Sequence, residues 1–247
     1  MKARSQSSST PTKRSEAWTV RRAIAKLRRH GEKRNVEGMA RFGVVSKEIY
    51  GVSKPKLDQL VRSIGKNHQL GLDLWKTGNH DGRLLGMLIS EPQRVTASPM
   101  ERWVHDFDSW DVCDGTCGHL FVDATPAWQK AFAWTARKKE FEKRAGFALG
   151  AYLAIHDKFA ADAPFRKFLK VIERESWDER NFVRKAVNWA LRNIGKRNLP
   201  LNGDAIATAE RIRRAGAPAR RWIAADALRE LRSEAVQKRL LRKAQKK

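Results

Sequence analysis

A tryptophan and an aspartate four residues apart, Trp110 and Asp114 in the stretch DFDSWDVCDGTCGHLF (106–121), are the residues of this chain best suited to chemistry. If Asp108 or Ser109 caps a helix, Trp110 opens its first turn and Asp114 lies one turn above on the same face. Such a pair suits a reaction in which positive charge develops on a sugar. The carboxylate stabilises an oxocarbenium ion and holds the attacking water, and the indole face attracts the same cation. A Trp that packs inward and an Asp that faces solvent is the plainer reading of any isolated W-x-x-x-D, so the rest of the chain has to decide.

Two other helical stretches carry candidates. In KAVNWALR (185–192) Trp189 falls at the edge of an apolar stripe, with Lys185 four residues before it and Arg192 three after. An indole flanked by cations suits a nucleic-acid backbone, and it equally describes a boundary Trp covered by the alkyl stems of its neighbours. Arg144 opens RAGFALGAYLA, a run of small residues built for close helix packing, where a cation either pairs with a neighbouring helix or reaches into a groove. Cys113 and Cys117, with His105 and His119, are spaced as in a helix rather than as in a zinc turn, so no metal is expected. The chain has neither a Gly-rich phosphate loop nor a nucleophilic Ser or Cys constellation, which leaves nucleotide hydrolysis and acyl transfer without support.

The elements that position these residues are helical. The 247 residues include 51 Lys and Arg against 27 Asp and Glu, a net charge of +24 that calls for a polyanionic partner. Residues 1–35 carry +9 and 211–247 carry +10, so only +5 is left for the middle of the chain. With no apolar run long enough for a bilayer and no signal peptide, a cytoplasmic, nucleoid-associated protein is expected. Nothing demands a dimer, and a monomer is expected. Residues 1–14 read as a disordered basic arm, 15–235 as one helical domain and 236–247 as a basic tail.

Helical periodicity runs from residue 16 to about 34 as one basic amphipathic helix, and then through a series of helices of ten to twenty residues; no strand alternation persists. Pro126, Pro164 and Pro200 stand near helix starts at intervals of 38 and 36. A second echo, a cation followed by small and apolar residues, begins at Arg83, Arg144, Lys185 and Arg221, with intervals of 61, 41 and 36. That spacing fits two-helix units of the HEAT or armadillo kind, stacked into a superhelix whose concave face, if basic, would cradle a duplex.

Taken together, these segments resemble the AlkD-type DNA alkylation-repair glycosylases over about residues 35–200. MARF (39–42) is similar to the family's early aromatic motif, with Phe42 where Tyr is common. LWKTGNHDGR (74–83) resembles L-W-x-x-x-x-H-E-x-R, with Asp81 in place of Glu, and WDVCD (110–114) matches W-D-x-x-D. KRAG (143–146) matches at the DNA-contacting Arg, and KAVNWALR matches K-A-x-x-W-x-L-R. The resemblance implies an all-α HEAT-like solenoid and a monofunctional glycosylase that hydrolyses the N-glycosidic bond of cationic purines such as 7-methylguanine and 3-methyladenine in double-stranded DNA. It implies Asp114, Trp110 and Trp189 as the catalytic set and Arg144, Lys185, Arg192 and Phe42 as DNA contacts, with no cofactor and no membrane partner. The rivals are a non-catalytic repeat protein that binds damaged or branched DNA or structured RNA, and a protein-binding scaffold.

Overall fold

The computed structural model describes residues 17–245; the expected arm at 1–14 and the last two residues lie outside it. Among the described residues there are only helices and turns. They are α1 (Val20–His30), α2 (Lys33–Arg41), α3 (Lys54–Ile64), α4 (His68–Lys76), α5 (His80–Ile89), α6 (Ala97–His105), α7 (Trp110–His119), α8 (Ala127–Trp134), α9 (Glu140–His156), α10 (Asp162–Glu175), α11 (Asn181–Gly195), α12 (Leu199–Arg214), α13 (Pro218–Leu231) and α14 (Glu234–Gln245), with short 3-10 turns at Pro92–Arg94 and Phe121–Asp123. None of these helices is long and apolar enough to cross a membrane.

From α4 onward the helices alternate between two layers. The odd-numbered members α5, α7, α9, α11 and α13 stack on one another, and the even-numbered ones cover them. The odd-numbered layer is the more tightly drawn together, above all between α9 and α11. A stack drawn together on one side curves toward that side, so the odd-numbered helices form the inner, concave layer of an α-α solenoid. Small residues allow this closeness. Gly146 lies against the backbone of Trp134 and Thr135, and Gly150 against the ring of Phe168. At either position a β-carbon would have to displace a neighbour, and the aromatic core behind α9 has no slack to give.

The repeat register is visible in lateral contacts. Along α11 and α13, Arg184 stacks on Trp222, Asn188 bonds Asp226 at 2.6 Å and Arg192 bonds Glu230 at 2.6 Å, each pair 38 residues apart. Outer-layer aromatics fill the space beneath: Trp75 stacks on Trp103 at 4.0 Å, and Phe121 links Trp103 to buried Trp134. Each such ring contributes about 1.5–3 kcal/mol by leaving water.

Three expectations are corrected. The basic segment 16–34 is not one helix. Gly31 breaks it, because its backbone turns extended where it meets Tyr50, and α2 follows as an element not expected from the sequence. The helix of Trp110, which the sequence pattern extends over 109–122, stops at His119 and gives way to the 3-10 turn. The segment from 236, expected as a tail, belongs to α14, which buries Val236 and Leu240 against the solenoid end.

Candidate functional site

Trp110 is the first residue of α7, and Ser109 precedes it as N-cap without a side-chain capping bond. The indole Nε1 donates to the carbonyl of Phe42 at 3.0 Å. That carbonyl belongs to a strap, residues 42–52, laid along the N-terminal ends of the inner helices. Ser46 bonds Asp108, the Glu48 carbonyl accepts from the His80 backbone, and Asp81 accepts from the amides of Tyr50, Gly51 and Val52. Asp81 therefore holds the strap rather than the start of its own helix. Gly43, at φ 79°, lets the strap turn with its α-carbon against the ring of Phe182, where a side chain would not fit. Beneath Trp110, wholly buried His80 bonds Asp111 through Nε2 at 2.9 Å. Burial disfavours a proton on His80, but the hydrogen bond and charge of Asp111 outweigh it and raise the imidazole above its ordinary value.

Asp114 sits one turn above Trp110. Its Oδ1 and Oδ2 accept from Arg144 Nε and Nη2 at 2.8 and 2.6 Å, a bidentate pair of which only 15% of the carboxylate and 8% of the guanidinium side chain are exposed. Arg144 also donates to the Phe182 carbonyl at 2.6 Å, so one guanidinium ties α9 to both α7 and α11. Burial lifts the Asp114 carboxyl above its ordinary value, and the charge and hydrogen bonds of Arg144 pull against that lift. Arg144 is itself raised, because Asp114 outweighs the burial that opposes its charge. Such geometry is that of an ion pair, and the carboxylate is ionised within it.

The register of the inner layer explains why this carboxylate stands where it does. The interval of 61 residues between Arg83 and Arg144 conceals one copy of the repeat. Asp114 falls 31 residues after Arg83 and 30 before Arg144, so it takes the slot that neighbouring helices fill with Arg83, Arg144 and Lys185. One negative charge replaces a positive one in a row of cations. The copy is invisible to a search for a leading cation because its cation is absent.

Trp189, half-buried on α11, meets Tyr152 of α9 edge to face at 4.9 Å. The same tyrosine ring rests on the backbone of α7 at Gly118, where an added β-carbon would lie 2.3 Å from it. Tyr152 also feels the charge of Asp114. Burial first, and then that charge, push its hydroxyl up to about 12, so it stays protonated at neutral pH. Tyr152 thus bridges the helix of Asp114 to the indole of Trp189, a part that the sequence reading did not assign. Its signal was there: it lies eight residues after Arg144, on the same ridge of the helix, and it is one of two tyrosines in the chain.

Among the expected DNA contacts, Lys185 is exposed, one turn before Trp189, with no charged partner among the described residues. Phe42 is 73% exposed. Arg144, expected to face phosphates, is instead engaged inside the fold, and Arg192, expected to do the same and partly exposed, is paired with carboxylates of α13. Arg144 of α9 is buried against Asp114 of α7, and Arg192 of α11 pairs with Glu230 at 2.6 Å and Asp226 at 3.5 Å on α13, because each lies on a ridge that meets a neighbouring inner helix. The thiols of Cys113 and Cys117 are buried and point to the carbonyls of Phe141 and Ala145, and His105 bonds Glu142. Among the described residues no three His, Cys, Asp or Glu side chains converge as metal ligands.

The sequence profile of the DNA alkylation repair enzyme family matches residues 23–241. An uncharacterized protein of Listeria innocua is 24% identical over 170 residues, covering 68% of this chain and 74% of its own length. A solved structure, of a protein described as one of a new family related to the HEAT-like repeat DNA glycosylases with affinity for branched DNA structures, superposes with a TM-score of 0.76 at 18% identity. The superposition covers 90% of this chain and 96% of the other.

Proposed function

Since this chain belongs to the DNA alkylation repair enzyme family, we propose that it binds double-stranded DNA along its inner layer and hydrolyses the N-glycosidic bond of cationic alkylated purines. The observation that carries the reading is the carboxylate of Asp114, which takes the slot that cations fill on neighbouring inner helices, stands one turn above Trp110 and is joined through Tyr152 to Trp189. A purine that already bears positive charge departs neutral, so the reaction needs no protonating acid. What must be stabilised is the deoxyribose as it becomes an oxocarbenium ion.

Asp114 supplies the negative charge and positions water through the lone pairs that Arg144 leaves free. Trp110, its indole fixed by the Phe42 carbonyl, and Trp189, fixed by Tyr152, present their faces to the cation. Arg144 keeps the carboxylate ionised in a site that would otherwise favour its neutral form. Lys185 and the exposed Phe42 meet the DNA strand, while Arg192 braces α11 against α13 through Glu230.

A second reading has its own support. Both oxygens of Asp114 accept from Arg144, an arrangement that equally suits a structural brace in a non-catalytic protein that binds branched or damaged DNA. Incubation with methylated duplex DNA separates the two. Release of free 7-methylguanine above spontaneous depurination, lost in Asp114→Asn, supports the glycosylase. DNA binding without release assigns the protein to the binders, and equal release by Asp114→Asn takes Asp114 out of the chemistry.

A further inference from the structure

Beyond the C-terminal end of α9, Phe159 stands 100% exposed, at the end of the inner layer opposite to the strap. The turn that carries it is held firmly. Arg197, between α11 and α12, donates to the Ala154 carbonyl at 3.3 Å and to the Ala160 carbonyl at 2.8 Å, so that it pins both sides of Lys158 and Phe159. Its guanidinium also lies 4.4 Å over the ring of Phe165. From α14, Lys243 donates to the carbonyl of Lys196 at 3.5 Å, next to Arg197.

Cations crowd there. Burial, and then the charges of Arg239, Lys158 and Arg197, hold the Lys243 ammonium below the ordinary lysine value. The nearest carboxylates are already engaged. Asp157 accepts from Trp128 Nε1 at 3.0 Å and from the Ala160 amide at 2.9 Å, and Asp162 accepts from Asn198 at 2.8 Å and faces Arg166 at 3.7 Å. Like charges gathered by the fold repel one another until a polyanion joins them.

The exposed ring narrows the choice of polyanion. A phenylalanine among cations complements a nucleobase flanked by its phosphates, yet within a duplex both faces of every base are covered by neighbours. Only an unpaired base offers a free face. The turn also lies near the proposed cleft: Tyr152, which touches Trp189, meets His156 at 5.9 Å one turn farther along α9. From Tyr152 to His156, the last residue of α9, the helix rises roughly 6 Å, and the turn of Phe159 follows directly.

We propose that Phe159, with Lys158 beside it, Lys243 drawn toward it from α14 and Arg197 fixing its turn, is a seat for one unpaired nucleotide at a junction between single-stranded and duplex DNA, the ring stacking on its base and the two lysines holding its phosphates. This rests on the DNA-binding half of the function proposed above and not on its chemistry. The test uses the full chain and unmethylated DNA, comparing by fluorescence anisotropy a plain duplex with the same duplex bearing a short single-stranded flap. The native chain is expected to prefer the flapped DNA. Phe159→Ala, which removes a side chain that contacts solvent only, is expected to lose on the order of tenfold in affinity for it and nothing for plain duplex. Phe159→Trp is expected to keep the preference, and Lys158→Ala with Lys243→Ala to flatten the salt dependence on flapped DNA by close to two phosphate contacts. Equal affinity of the native chain for both DNAs, or an unchanged preference in Phe159→Ala, overturns the proposal. Normal release of 7-methylguanine alongside either result leaves the glycosylase reading intact; absent release with a Phe159-dependent preference removes that reading and leaves this one.

Discussion

Replacing Arg144 by Met keeps the stem of the side chain and removes the guanidinium, so the Asp114 carboxylate, 15% exposed, loses the charged partner that grips both its oxygens. Breaking a buried pair from one side costs about 3–5 kcal/mol, because the remaining charge stays desolvated. The carboxyl has one escape, to take up a proton. Burial already lifts it, and without Arg144 nothing opposes that lift. Its affinity for a proton is then higher in the folded than in the unfolded chain, and stability falls as pH rises from the unfolded value of about 4 through the folded one. Arg144→Met is therefore expected to lie closest to the native protein in mild acid and to fall behind toward neutral pH. Asp114→Asn in the same background removes the titrating group and with it that slope. Each single substitution disrupts the pair, so the double variant is expected to be only slightly less stable than either single one, a coupling of about 3 kcal/mol. Urea titrations of the four proteins at several pH values measure it. Additivity within about 0.5 kcal/mol, or an Arg144→Met deficit that does not grow with pH, would refute the idea that Arg144 holds a buried carboxylate ionised. The same variant is expected to lose 7-methylguanine release near neutral pH and to recover part of it as pH rises and Asp114 ionises.

Gly118→Ala places a β-carbon 2.3 Å from the Tyr152 ring, which must tip away from α7 and take its support from Trp189; release of the base should drop with folding cooperativity retained, and unchanged activity would free Tyr152 of any role. The carboxyl of Asp178, hydrogen-bonded to Arg180 and Lys143, lies at about 2 although burial pushes the other way. Because its folded value is depressed, the stabilisation of about 2 kcal/mol is present above pH 4 and lost as pH falls through 2; Asp178→Asn should cost that much at pH 6, and urea melts should show the gap closing in acid. Phe42→Ala removes a side chain 73% exposed and keeps the carbonyl that holds Trp110, so it should leave the melting temperature unchanged and weaken DNA affinity. Trp110→Phe, which loses the bond to that carbonyl, should do the opposite for stability, at about 1 kcal/mol.

What the linear chain determined by itself was set by local rules. Apolar spacing, prolines at helix starts and short links sufficed for an all-helical protein of stacked two-helix units, though not for the shorter spacing of about 30 residues between α5, α7 and α9, and the resemblance carried by W-D-x-x-D and K-A-x-x-W made Trp110, Asp114 and Trp189 the expected set. Element boundaries that depend on a distant neighbour were out of reach. Gly31 ends α1 because Tyr50, nineteen residues on, occupies the space beside it, and α14 packs because Val236 and Leu240 find the end of the solenoid. The partners of the charged residues were equally hidden. An Arg in a sequence carries the same charge whether it faces a phosphate or a carboxylate, and only the stacking of α7 against α9 and of α11 against α13 committed Arg144 to Asp114 and Arg192 to Glu230. Tyr152 joined the site for the same reason: a glycine on one helix opened room for a ring from the next, a complementarity between surfaces that no single segment contains.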